Sequence, residues 1–368
     1  MRIIFISLLL CALCAAAMAV EYRSATVEED VDWYNANEKP LRLYGLLPPT
    51  EEEPYFHRMP GEAAKRVSEG VYDSQIVTSG GRVRFYTDSP FIVIHTRLWR
   101  AGLRSFMNRI IYAGFDVYLQ RDREIPRYVG YVTTDHDNYG DDDTLLRLPS
   151  PGTVTVFTPL YGGVRELYIG VQKGSVIREA HDYKYEKPVV FYGSSITHGA
   201  CASRNGNSYE ALLSRSLDMN FVNLGFGGCA LGEQAMAEYI GGLDMSVFVM
   251  DYDHNAPTEE HLRDTHYAFY RTVRDRQPEV PIIMLSRPKP QLWTDEAERR
   301  NIIRNTWKRA RDEGDKHVYF IDGSTLVDAY AGDAWSVDRV HPNDYGFVNM
   351  AKGIEKVLKP LLTHKAGK

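Results

Sequence analysis

The hydrophobic rhythm of the chain changes near its middle. From about Glu21 to Ile177, short alternating or aromatic-rich segments recur between turn residues, at Arg82–Tyr86, Phe91–Thr96, Asp116–Gln120, Thr153–Phe157 and Glu166–Val171. A period of two sends successive side chains to opposite faces, so each segment reads as a strand, and strands at this spacing predict an antiparallel β-sandwich. The charged stretch Arg178–Pro188, carrying Tyr183 and Tyr185, reads as a linker. Beyond it the apolar runs become continuous: Val189–Gly193, Phe221–Leu224, Val247–Tyr252, Ile282–Ser286 and Val318–Ile321. Such runs suit strands buried on both faces, and helical patterns separate them at Ser208–Leu217, Thr258–Arg274, Asp295–Arg311 and Asp344–Leu358. Strand and helix in alternation predict a parallel α/β sheet with right-handed crossovers, in which function collects in loops at the carboxyl ends of the strands.

The first residues differ from both halves. Arg2 precedes an apolar stretch that closes on the small-x-small triplet Ala17-Met18-Ala19. It is too short and too rich in small residues for a membrane span, and it reads as a secretory leader cut after Ala19. Lipoprotein attachment through Cys14 is the alternative, disfavoured by the bulk of Leu13. Composition supports a globular chain: 368 residues, 44% hydrophobic and 25% charged, with mean hydropathy −0.35. There are 43 Lys and Arg against 49 Asp and Glu and no basic block, which argues against nucleic acid as a partner. The mature chain is expected to have no membrane span and to keep two cysteines, Cys201 and Cys229, too few for a zinc ribbon or a disulfide framework. Five Asp within Asp135–Asp143 read as a solvated loop, since they lack the ligand spacing of an EF-hand.

Four strand ends carry candidate chemistry. Gly193-Ser194-Ser195 follows a buried strand directly, so Ser195 either exposes a nucleophilic hydroxyl or caps the next helix. Asn223-Leu224-Gly225-Phe226-Gly227-Gly228-Cys229 is a turn whose glycines let backbone N–H groups approach an oxyanion, or simply a flexible connection. The third strand runs into Asp251-Tyr252-Asp253-His254-Asn255, where the Asn255 amide is a further oxyanion donor and Asp251, Asp253 and His254 form a metal alternative. In the last segment Asp338 stands three residues before His341. From there it can hold the near ring nitrogen and leave the other nitrogen as a base, while Pro342 keeps His341 extended.

This ordered set resembles the SGNH, or GDSL-like, hydrolase superfamily, whose blocks run Gly-Asp-Ser, Gly, Asn and Asp-x-x-His. Gly193-Ser194-Ser195 matches the first block, with Ser194 where most members have Asp. Gly228, Asn255 and Asp338 with His341 match the others, over about Val189 to Leu358. Gly114-Phe115-Asp116-Val117-Tyr118 is similar to the Gly-x-Asp-Leu-Tyr signature of a β-rich domain that precedes some bacterial SGNH esterases. The resemblance implies a flavodoxin-like hydrolase domain after the sandwich, with a leader at 1–19, an accessory domain at 20–182 and a catalytic domain at 183–368. It also implies serine ester hydrolysis, with Ser195 as nucleophile, His341 as general base and Asp338 as its orienting partner. Ser195, Gly228 and Asn255 would be the oxyanion donors. No cofactor or metal is expected.

An exported enzyme of this kind resembles polysaccharide deacetylases, so the expected partner is a small-molecule or oligosaccharide ester, with Trp293 and Trp335 as candidate sugar-facing rings. A general short-chain acylhydrolase, an acyltransferase, and a carbohydrate-binding protein with a relic hydrolase domain are the alternatives. Cys201 and Cys229 follow the first two blocks at one sheet edge, so we expect a disulfide between them, the alternative being two small buried thiols.

Overall fold

The computed structural model describes residues 30–101, 104–133, 141–328, 330 and 332–362. The expected leader at 1–19, with Cys14, lies outside them.

The first half forms ten strands: β1 (Val31–Asn35), β2 (Arg42–Tyr44), β3 (Arg82–Thr87), β4 (Phe91–Ala101), β5 (Gly114–Gln120), β6 (Arg127–Thr133), β7 (Asp141–Arg147), β8 (Gly152–Phe157), β9 (Gly162–Gln172) and β10 (Ile177–Arg178). They assemble into two antiparallel sheets, ordered β1-β9-β4-β7 and β10-β3-β8-β5-β6, with β2 added beside β3. Alternation explains the packing. Ile92 and Ile94 of one sheet meet Phe85, Val117 and Val154 of the other in a shared apolar layer, as a β-sandwich requires. The first half is not wholly β, because α1 (Gly61–Val67), α2 (Glu69–Ser74) and the short α3 (Ile110–Ala113) interrupt it. Ser68, between the first two, caps α2 by accepting the Val71 N–H. The aspartate-rich stretch read as a loop is a strand from Asp141, paired with Arg97 to His95 of β4. Its Asp135 and Asp137 lie outside the described residues.

The second half has five parallel strands, β11 (Tyr185–Gly193), β12 (Met219–Gly225), β13 (Val247–Asp251), β14 (Ile282–Leu285) and β15 (Val318–Ile321), in the order β12-β11-β13-β14-β15. Counted within this half the order is 2-1-3-4-5, the flavodoxin-like arrangement, whose switch point lies between β11 and β13. The connecting helices are α4 (Ser195–His198), α5 (Tyr209–Leu217), α6 (Gln234–Gly241), α7 (Glu259–Arg276), α8 (Thr294–Asp312) and α9 (Asp344–Leu358). Several begin where the sequence supplies a cap. Ser208 accepts the Ala211 N–H, Thr258 that of His261, and Asn343 those of Tyr345 and Gly346.

Part of the stretch read as a linker is β11 itself, and Tyr183 and Tyr185 are buried. The halves are packed into each other. Ile111, Tyr118, Phe157 and Leu160 share one core with Phe191, Tyr209 and Phe221, while Met59, Ala64 and Val71 share another with Val190, Leu224 and Met236.

Candidate active site

Ser195 follows the end of the central strand β11. The turn is tight: a Cβ on Gly193 would fall 2.1 Å from the Thr197 hydroxyl and 2.4 Å from the Asp251 carbonyl, so glycine is obligatory there. Ser194 is wholly buried, and its hydroxyl accepts the Ile196 N–H to start α4. It thus supplies the cap that holds the turn. Beneath it Thr197 and Tyr209 donate hydroxyls to Asp251, whose carboxyl burial pushes well above the usual carboxylate range. A neutral Asp251 supports the turn from inside the domain.

His341 arrives on the segment between Trp335 and Asn343. An antiparallel bridge, Ser336 to Pro342, closes this segment, and Val337 N–H donates to the His341 carbonyl at 2.9 Å. The imidazole Nε2 lies 2.8 Å from Ser195 Oγ, and Nδ1 lies 2.7 Å from Asp338 Oδ2. A carboxylate at Nδ1 places the ring proton there, leaving Nε2 to accept the serine proton. Burial alone would raise the Asp338 carboxyl, but the backbone N–H and ring of His341, with the Val340 N–H, hold it below the usual carboxylate range. Asp344 then ties this segment to the nucleophile side, accepting the Ser203 N–H and the Asn207 amide, each at 2.8 Å.

The two glycines after β12 have different tasks. Gly228 has φ +79° with open space where a side chain would stand, so its backbone conformation is what favours glycine. A Cβ on Gly227 would lie 3.2 Å from Ser195 Cβ, which puts this turn directly against Ser195. Asn255 spans the turn. Its amide nitrogen donates to the Phe226 carbonyl at 2.8 Å, and its oxygen accepts the Gly228 N–H at 3.3 Å. Two expected oxyanion donors are therefore bonded to each other in this arrangement. Among the described residues, the second Asn255 amide hydrogen and the Ser195 N–H, first in its helix and without an intrahelical acceptor, face no such engagement.

The three residues of the metal alternative have separate surroundings. Asp253 accepts from Arg287 and Arg299, and although burial opposes it, their charge holds its carboxyl far below the usual range. Asp251 binds Thr197 and Tyr209. His254 is driven down to about 3 by burial and by Arg287. Two further expectations are corrected. Trp335 is buried at 3% exposure, too little to offer a ring face to a sugar; it anchors the histidine segment, its carbonyl accepting the Asn343 N–H. Cys201 and Cys229 are free thiols, because Cys201 turns its sulfur to the Phe106 carbonyl while Cys229 packs against Gly70. Trp293 is 58% exposed beside a groove lined by Glu259, Leu292 and Asn301, with the Arg339 guanidinium 4.4 Å above its ring.

Sequence reading named none of the individual contacts that the first half brings. Phe106 stacks on the His341 ring at 5.6 Å between centroids. Tyr161 stacks on His198 at 4.0 Å and donates its hydroxyl to the Ser195 carbonyl at 3.4 Å. Asn108 donates its amide to the carbonyls of Ala202 and Ser203. The Gly114–Tyr118 signature is a docking device: Asp116 accepts the Gly206 N–H at 2.8 Å, and the Gly114 carbonyl accepts the Asn205 amide at 2.7 Å. A faint sign of this was the aspartate inside an otherwise apolar strand.

Residues 186–359 match the GDSL-like lipase/acylhydrolase family, and residues 31–177 match the GxDLY family, described as the N-terminus of SGNH-hydrolase-type esterases. No curated relative matches the chain. Among solved structures, a GDSL-like lipase from Bacteroides ovatus ATCC 8483 is 27% identical with TM-score 0.79, covering 91% of this chain and 99% of its own. The salicylyl-acyltransferase SsfX3 from a tetracycline biosynthetic pathway is 19% identical with TM-score 0.74, covering 90% and 97%. A family two carbohydrate esterase from Cellvibrio japonicus is 12% identical with TM-score 0.61, covering 91% and 98%.

Proposed function

Because residues 186–359 belong to the GDSL-like lipase/acylhydrolase family and residues 31–177 form the GxDLY N-terminus of SGNH-type esterases, we propose that this esterase/acylhydrolase is an exported serine enzyme that removes small acyl groups, acetyl above all, from carbohydrate. The observation that carries the mechanism is the hydrogen-bonded line from Ser195 Oγ through His341 to Asp338, at 2.8 and 2.7 Å. Ser195 Oγ attacks the ester carbonyl as its proton passes to Nε2 of His341. Asp338 holds the ring and stabilises the imidazolium. The Ser195 N–H and the Asn255 amide meet the developing oxyanion, and Gly228 joins them when its N–H leaves Asn255. Such donors contribute about 3 kcal/mol each. Collapse breaks the ester C–O bond, and the departing alcohol takes the proton from Nε2. Water then attacks the acyl-serine, passing its proton to His341; the acyl C–O bond to Ser195 breaks as Oγ takes that proton back from Nε2, and the acid leaves.

Support for a small acyl group comes from the pocket beside Ser195, about 300 Å³, bounded by Tyr161, His198, Gly227 and Cys229 with no long apolar channel among its lining residues. The carbohydrate part of the reading draws on the named esterase neighbour, and export on the leader-like start of the sequence. Incubation with acetylated oligosaccharides, followed by mass spectrometry, tests it. Loss of 42 Da per acetyl, on the order of one site at a time, is expected from the active protein and not from Ser195→Ala. Hydrolysis of simple acetate esters without deacetylation of any oligosaccharide would sink the carbohydrate assignment.

A further inference from the structure

The pocket beside the nucleophile is lined on one side by the second half of the chain, through His198, Gly227 and Cys229, and on the other by the first, through Ser74, Val77, Arg104 and Tyr161. Arg104 is placed there by two anchors. Its own N–H is bonded to the Tyr112 hydroxyl at 2.9 Å, and four residues on Asn108 clamps the segment to the nucleophile loop. Between them Phe106 lies on the His341 ring. Arg104 therefore lines this pocket from the same short segment that packs against the His341 ring.

Among the described residues Arg104 forms no ion pair, and Asp73, the carboxylate on this pocket, has partners of its own. The nearby side chains cannot neutralise Arg104 either. His198 donates from Nε2 to the Leu160 carbonyl, and burial with the Arg58 charge holds it well below the usual histidine range, so it is neutral. Burial pushes Tyr161 and Cys229 upward, so both stay protonated. A guanidinium presents a fork of donors that matches a carboxylate, and one left without a partner at the mouth of a pocket is poised for an anion carried by the ligand.

We propose that Arg104 is a specificity-determining residue that selects esters bearing a carboxylate close to the scissile bond. The proposal rests on the esterase reading above and narrows its substrate class. The carboxylate has two chemical sources, an acidic acyl group or an acidic sugar such as a uronate.

Two matched pairs of substrates separate the sources. The 4-nitrophenyl hemisuccinate and butyrate esters differ by a carboxylate on the acyl side, and O-acetylated methyl glucuronide and methyl glucoside differ by one on the alcohol side. The readout is the ratio of kcat/KM, carboxylated to neutral, for the full chain, Arg104→Gln and Arg104→Lys. In one pair the wild type should favour the carboxylated member about tenfold or more, a preference that shrinks as salt rises. Arg104→Gln should bring the ratio to about one, and Arg104→Lys should retain part of it. A ratio near one in both wild-type pairs, or an undiminished ratio in Arg104→Gln, would overturn the proposal while leaving ester hydrolysis standing. No turnover of any of the four esters by the wild type would overturn the esterase reading as well.

Discussion

At the residue scale the site is a chain of local constraints that ends on one oxygen. Ser195 contributes a hydroxyl to His341 and little to packing, so Ser195→Ala should lower turnover of a chromogenic acetate about a thousandfold or more, with unfolding free energy changed by no more than about 0.5 kcal/mol. Equal activity in the two proteins would exclude it as the nucleophile. Asp338 sits below the usual carboxylate range because it accepts from His341 and Val340, so it remains charged at any pH where a histidine base is neutral. Asp338→Asn would lose that charge and reverse the ring's hydrogen bonding, and kcat should fall about a thousandfold or more with KM little changed. The thiols give a separate check. Burial pushes Cys201 up to about 12. Protein produced without residues 1–19 should titrate two thiols per chain when denatured and unreduced, and in the native state Cys201 should alkylate slowly.

At the scale of elements, two loops bear the load of placing the chemistry. The turn after β12 touches the nucleophile through Gly227. A methyl there would stand 3.2 Å from Ser195 Cβ, so Gly227→Ala should cut kcat more than it cuts stability, measured by steady-state kinetics beside thermal unfolding. The second is the docking of β5 onto residues 204–206. Burial raises Asp116 to about 6, against the opposing bonds from Gly206 and the charge of Arg204. A carboxyl raised above its unfolded value binds its proton more tightly when folded. Its contribution to stability is therefore complete below about pH 4 and is lost as pH rises through about 6, a change on the order of 3 kcal/mol. Asp116→Asn should flatten the wild-type decline in denaturant stability across that window, and an unchanged slope would remove Asp116 as its source. The sequence pattern marked Gly114–Tyr118 as a signature without saying why; the reason is a contact with a turn some ninety residues away.

At the scale of the whole molecule, the two halves share cores, and the ring of His341 is packed by a residue from the first half. Residues 183–368 expressed alone would expose the surface that Tyr118, Phe157 and Leu160 cover. That fragment should be aggregation-prone and inactive, while the intact chain should unfold in one calorimetric transition. Two resolved transitions would show the docking to be weak. What the sequence by itself determined follows from local backbone physics. Alternation identified strands in the sandwich, continuous apolar runs identified the parallel sheet, and the small, glycine-rich and histidine-bearing turns after those strands stand where strand-end loops meet at one edge of such a sheet; their order, through its resemblance to the SGNH blocks, pointed to Ser195, Gly228, Asn255, Asp338 and His341. Composition does not say where a side chain turns once the backbone is placed. Only the tertiary structure buried Trp335, sent Cys201 and Cys229 to different neighbours, bonded Asn255 to Gly228, and ran Asp141 to Asp143 as a strand against β4. It alone carried Tyr161 to Ser195, Phe106 to the His341 ring, and Arg104 to a pocket that His198 and Gly227 also line. Those contacts depend on how two independently patterned units share apolar surface, a long-range choice that no local period records.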